Sequence, residues 1–199
     1  VYTCTVCGAT KAEVIPMLTH DHNFTWTVIS QATVFAPEKQ EGICTICGAK
    51  KTRDNGNKLT ATIKLNATSI KLQKKQSTTK VKVTGLANGD SVKSWISSNK
   101  KIVTVDKSGK IKAGKKTGNA KITVTLKSGK KAILKVKVQS TKVKTTKITG
   151  LKTNFTLKKG KSLTLKPVVA PITSQEKVTY TTSNKKIATV TKNGVVKAK

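Results

Sequence analysis

The chain has 199 residues, 36% apolar and 4% aromatic, with 40 Lys+Arg against 8 Asp+Glu for a formal charge of +32. So few large apolar side chains exclude one big enzyme core and favour thin β-layers or a metal-stapled piece. Arg53 is the only arginine, which argues against sequence-specific nucleic-acid recognition, because the guanidinium fork is what pairs bases and phosphates at two points. No apolar run reaches the ~18 residues of a membrane-spanning helix. The chain opens at Val1 inside a motif, without initiator Met or leader, so a piece of a longer protein is expected.

Residues 1–57 read as a small zinc-ribbon-like module. Cys4-Thr5-Val6-Cys7-Gly8-Ala9 and Cys44-Thr45-Ile46-Cys47-Gly48-Ala49 are near duplicates. In C-x-x-C-G two thiolates on a tight turn reach one ion, and the glycine permits the bend. Cys4, Cys7, Cys44 and Cys47 together would hold a structural Zn2+. The stretch from Cys7 to Cys44 exceeds the ~15–20 residues usual between such halves, so a disulfide within each pair stays open as a second reading. Redox chemistry would need a helix after a βαβ pattern, and the flanks show none. His20 and His22, around Asp21, are either additional ligands or a surface loop ahead of a strand whose Trp26 packs a small core. The segment resembles C-x-x-C-G repeats that stand beside surface modules of Firmicutes, with Val34 where such repeats often carry a further cysteine. Residues 50–58, with Asp54-Asn55-Gly56-Asn57, are expected to mark the boundary.

Residues 58–139 alternate apolar with polar side chains, as in Val81-Lys82-Val83, Ile122 to Leu126 and Ile133 to Val138. That period of two marks half-buried strands. Turn formers separate them: Asn88-Gly89-Asp90, Ser97-Ser98-Asn99, Lys107-Ser108-Gly109, Thr117-Gly118-Asn119 and Ser128-Gly129. Short strands at this spacing are the signature of a β-sandwich. Gln139 to Thr146 reads as a linker.

Residues 140–199 repeat the pattern. Trp95 to Lys112 aligns without a gap on Tyr180 to Lys197, a shift of 85 residues, and a period that long is a whole domain. The second copy stops just after Ala198, whereas the first continues past Ala113 through two more strands, so the second is expected to be truncated. The aromatic, the Ser-Asn turn, the I-x-T-V strand, the turn glycine and the strand closing on Ala resemble the group 2 bacterial immunoglobulin-like domain. In the first copy these are Trp95, Ser98-Asn99, Ile102 to Val105, Gly109 and Ala113. In the second they are Tyr180, Ser183-Asn184, Ile187 to Val190, Gly194 and Ala198. The resemblance implies an all-β chain of tandem immunoglobulin-like sandwiches. Trp95, Tyr180, Ile102, Val105, Ile187 and Val190 are the expected core, and Gly109 and Gly194 the positive-φ turn positions.

Catalysis is not expected. The eight acids are scattered, and no nucleophile elbow, phosphate-binding glycine loop or H-E-x-x-H occurs. The resemblance implies an extracellular, cell-wall-associated segment acting as an adhesion or spacer module. Two alternatives remain: an accessory region of a larger polysaccharide-degrading enzyme, or a lysine-rich polyanion-binding module. The expected partners are host or cell-wall anionic glycans and the neighbouring domains of the same chain. On strands such as Lys135-Val136-Lys137 the lysines read first as a solvated face that also blocks edge-to-edge pairing.

Overall fold

The computed structural model describes residues 2–8, 10–11 and 21–199; His20 and Glu13 lie outside them. These residues form strands and turns without a helix. The chain divides into two compact units, one of Val1–Ala32 with Ala36–Lys58, the other of Thr33–Phe35 with Leu59–Lys199.

In the smaller unit β1 (Tyr2–Thr3) and β2 (Thr10–Lys11) form a hairpin across the first cysteine knuckle. A meander follows: β3 (Phe24–Ser30), β4 (Glu38–Cys44) and β5 (Lys50–Asn55), with β4 in the middle. Phe24 and Trp26 of β3 stand opposite Cys44 and Gly42 of β4, so the aromatic period of two gives the sheet one ring-covered face. The stretch read as a boundary holds the third strand, paired to β4 from Glu38↔Asn55 to Ile43↔Lys50, and the unit ends after it at Lys58. All six β5 residues are exposed, which is why its sequence shows no apolar alternation.

The larger unit begins with β6 (Lys64–Leu65), β7 (Ser69–Gln73), β8 (Ser77–Thr78), β9 (Val83–Thr84) and β10 (Val92–Ser97). It continues with β11 (Val103–Val105), β12 (Ile111–Ala113), β13 (Gly118–Leu126) and β14 (Lys131–Gln139). One sheet has the order β10-β13-β14-β7, with β7 and β14 parallel, and a second has the order β11-β12-β8. β6 and β9 form a separate ribbon. Strands β13 and β14 bury every second residue. Ile70, Leu72, Ile122, Leu134, Val136 and Val138 from the first sheet meet Val103, Ile111 and Ala113 from the second in one core. This is the expected β-sandwich.

The second copy supplies β15 (Lys147–Thr149), β16 (Ser162–Thr164), β17 (Val168–Ala170), β18 (Ala188–Val190) and β19 (Val195–Ala198). The sheet β16-β19-β18 repeats β8-β12-β11, and β15-β17 repeats β6-β9. The segments aligned with β7 and β10, near residues 154–158 and 177–182, form no strand. Their partners in the first copy are β14 and β13, and among the described residues no strand stands in those places for the second copy. Ile187, expected in the core, is for the same reason 69% exposed. Its counterpart Ile102, at 9%, is covered by β13, with Cδ1 beside Gly118.

Gln139 to Thr146 is not a loose linker. Val143 is buried and is paired both ways with Gln175, through Gln175 N to Val143 O (3.0 Å) and Val143 N to Gln175 Oε1 (3.1 Å). Thr173, at 1% exposure, donates its hydroxyl to Lys71 O (2.6 Å) and accepts at its carbonyl from Gln76 Nε2 (2.8 Å). Ile172 packs against the first copy's core. The second copy is therefore fastened to the first.

Candidate metal centre

Both C-x-x-C-G segments adopt one turn. Gly8 N donates to Cys4 O and Gly48 N to Cys44 O, each at 2.9 Å, with glycine φ near +70° in both. In that left-handed region a side chain would be strained. Thr45 N donates to Asn23 O (3.2 Å), and this pins the residue after His22 to the second knuckle. His22 Nδ1 thereby comes within 3.4 Å of Cys47 Sγ. The ligand atoms of His22, Cys44 and Cys47 all lie within 4.8 Å of one another.

This group could hold a metal. Two ligands at ~2.3 Å (S) and ~2.0 Å (N) on a tetrahedral ion are about 3.6 Å apart, close to the observed His22–Cys47 separation. Cys44 is buried, while His22 and Cys47 are exposed. Cys4 and Cys7 of the first knuckle are exposed and stand outside this trio. The Cys7 amide and thiol, with the Val6 amide, hold the Cys4 thiol below its ordinary value. None of the four cysteines is in a disulfide. Val34 donates its amide to Asn88 O within the larger unit.

A row of rings leads away from the trio. His22 and Phe24 have centroids 5.5 Å apart, Phe24 and Trp26 5.6 Å, and the Arg53 guanidinium lies 3.8 Å over Trp26. Arg53 is steadied by Nε donating to Gln40 Oε1 (3.0 Å). Gly42 makes room beneath the row, since a Cβ there would come within 3.0 Å of the Trp26 ring. Sequence reasoning places Trp26 in a small core but misses Arg53 and Gly42, whose roles arise from cross-strand register. Among the described residues of this unit only Gly42 and Cys44 are buried.

The residues expected to organise the repeats lie close together. Trp95 is half-buried, and with Val105 it packs against the core, while Ile102 is buried within it. Tyr180 and Val190 are half-buried. Gly109 and Gly194 have φ of +81° and +76° and a second role besides the turn. A Cβ would come within 2.9 Å of Trp95 Cζ2 in one case and 2.8 Å of Tyr180 Cζ in the other. Each aromatic thus packs closely against a glycine fourteen positions later, a spacing visible twice in the sequence. Asn99 Oδ1 accepts from Lys101 N and Asn184 Oδ1 from Lys186 N, at 3.0 and 2.9 Å. Asp106 accepts from Ser108 and Lys110 within its turn, and Thr191 occupies the same place in the second copy, accepting from Val195 N. These contacts close turns and assemble no catalytic pair.

No curated protein matches the chain. The bacterial Ig-like domain (group 2) matches at residues 59–136 and again at 142–199. Domains of this kind are non-catalytic modules that occur in extracellular bacterial surface proteins. Sandwich topology, the twice-used aromatic–glycine contact and these two matches agree: the chain belongs to the bacterial group 2 immunoglobulin-like domain family.

Proposed function

We propose that the chain is a non-catalytic, cell-wall-associated arm that carries neighbouring domains away from the surface. The observation that supports this best is the fastened junction, in which Thr173 of the second copy is hydrogen-bonded to Lys71 and Gln76 of the first and Gln175 to Gln73. A stiff joint transmits reach, whereas a flexible tether would not. NMR relaxation should give both copies one rotational correlation time, and incubation with wall polysaccharides should release no reducing ends. Independent tumbling would remove the arm, and released sugar would make the chain an enzyme.

A second reading concerns the smaller unit. We infer that His22, Cys44 and Cys47 hold a structural zinc ion. The support is the 3.4 Å approach of His22 to Cys47, with the ligand atoms of His22, Cys44 and Cys47 all within 4.8 Å of one another. Zinc in such a site supplies folding free energy directly. Metal analysis should find one zinc per chain, and a chelator should abolish near-ultraviolet signal from Trp26 while leaving the larger unit folded. Cys47→Ser and His22→Ala should lose the ion. A metal-free chain with an unchanged Trp26 signal would end this reading, and Cys4→Ser tells whether the first knuckle completes the coordination.

A further inference from the structure

The outer face of the β10-β13-β14-β7 sheet sets lysine against lysine. Lys121 stands opposite Lys135 across β13 and β14, and Lys137 opposite Lys71 across β14 and β7. All four are exposed. Like charges directly opposite destabilise a sheet, and Lys121, Lys135 and Lys137 stand on the interior strands β13 and β14, so guarding an edge does not explain these three. The larger unit has three acids to offset them. Asp90 is bound to Ser91 and Ser128, and Asp106 to Ser108 and Lys110. Glu176 accepts from Thr145 N beside Lys144.

The junction turns this face into a groove. Because Val143 is buried, its neighbours Lys142 and Lys144 are exposed on either side of it. They and the four sheet lysines line one cavity of about 1070 Å³, with Val143 and Pro171 among its apolar surfaces. Along a strand the lysines repeat at about 7 Å and across strands at about 5 Å, a lattice suited to a chain with regularly repeated charge.

We propose that this groove binds an acidic polysaccharide, its anionic groups on the lysines and its C–H faces on Pro171 and the lysine stems. Nucleic acid fits less well, since no aromatic ring lines the groove to stack bases and no arginine to fork a phosphate. The proposal does not depend on the arm reading: a flexible junction with intact glycan binding, or the reverse, would separate the two.

The test compares the 199-residue chain with two variants of equal charge. One carries Gln at Lys71, Lys121, Lys135 and Lys137; the other carries Gln at Lys100, Lys101, Lys185 and Lys186, outside the groove. Heparin, polygalacturonate, wall teichoic acid and single-stranded DNA are titrated at about 0.15 M salt. The groove variant should bind at least one acidic polysaccharide about tenfold more weakly with a shallower salt slope, the control within about twofold. Removing facing like charges should also raise the groove variant's unfolding midpoint. Equal weakening in both variants would reduce the effect to net charge and overturn the proposal, as would a lowered midpoint or no binding at low salt. DNA binding tighter than any polysaccharide and lost in the groove variant would assign the groove to nucleic acid instead.

Discussion

The two immunoglobulin-like copies share turns, aromatic–glycine contacts and one three-stranded sheet, yet only the first closes a core. The first copy joins twelve buried residues into one cluster. Within 140–199 the buried residues are Val143, Thr173 and Gly194, and the first two serve the junction. The difference teaches that local signals build the small sheet, while β13 and β14 turn it into a sandwich by covering its apolar face. In the second copy that face is left to half-buried side chains such as Val190 and Val196.

Truncation of matched core positions should show the largest asymmetry. Ile111 is fully buried and Val196, its counterpart, half-buried. Ile111→Ala should therefore cost about 3–4 kcal/mol in urea unfolding and Val196→Ala under about 1 kcal/mol. Equal costs would mean that the second copy closes its core by another route.

The aromatic–glycine contact offers the next comparison. Gly109→Ala adds a Cβ against Trp95 in a left-handed turn and should destabilise by about 2 kcal/mol, whereas Gly194→Ala, in the looser copy, should cost about 1 kcal/mol. Combining Gly109→Ala with Trp95→Leu should recover part of the loss, and strict additivity would show that the two residues are not coupled.

At the junction, Thr173→Val leaves the Lys71 carbonyl without its hydroxyl donor. The expected cost is about 1 kcal/mol, read as faster independent motion of the second copy in NMR relaxation. Unchanged relaxation would place the stiffness elsewhere.

The smallest effect is a pH dependence of the Asp106 turn in the first copy. The Ser108 hydroxyl and the Lys110 amide hold the Asp106 carboxyl below its ordinary value. A depressed carboxylate contributes stability above its unfolded pKa and loses it as pH falls through the lower folded value. Acid unfolding should thus be shallower in Asp106→Asn. The second copy has the non-titrating Thr191 at this position, so Thr191→Val should leave the acid limb unchanged.

Much of the fold was legible because its signals are local. Alternation in Ile122 to Leu126, the glycine turns and the 85-residue repeat each depend on residues close in sequence. At the candidate metal centre the C-x-x-C-G bend was equally legible. That His22 joins Cys44 and Cys47 was not, because the Thr45–Asn23 backbone hydrogen bond that aligns it is a long-range pairing. β5 was missed because an exposed strand needs no apolar alternation. Ile187 was misplaced because its motif is identical in kind to that around Ile102, and burial depends on which strand lies above it.

By itself, the sequence determined an all-β chain, a domain used twice, tight thiol-bearing turns and a large positive charge, since composition, period and turn chemistry act within a few residues. Tertiary structure alone decided that His22 lies beside the thiols of Cys44 and Cys47, and that lysines from three strands and the inter-copy segment line a single groove. Those outcomes depend on register and on packing between distant segments, where a one-residue slip would send every lysine of a strand to the opposite face.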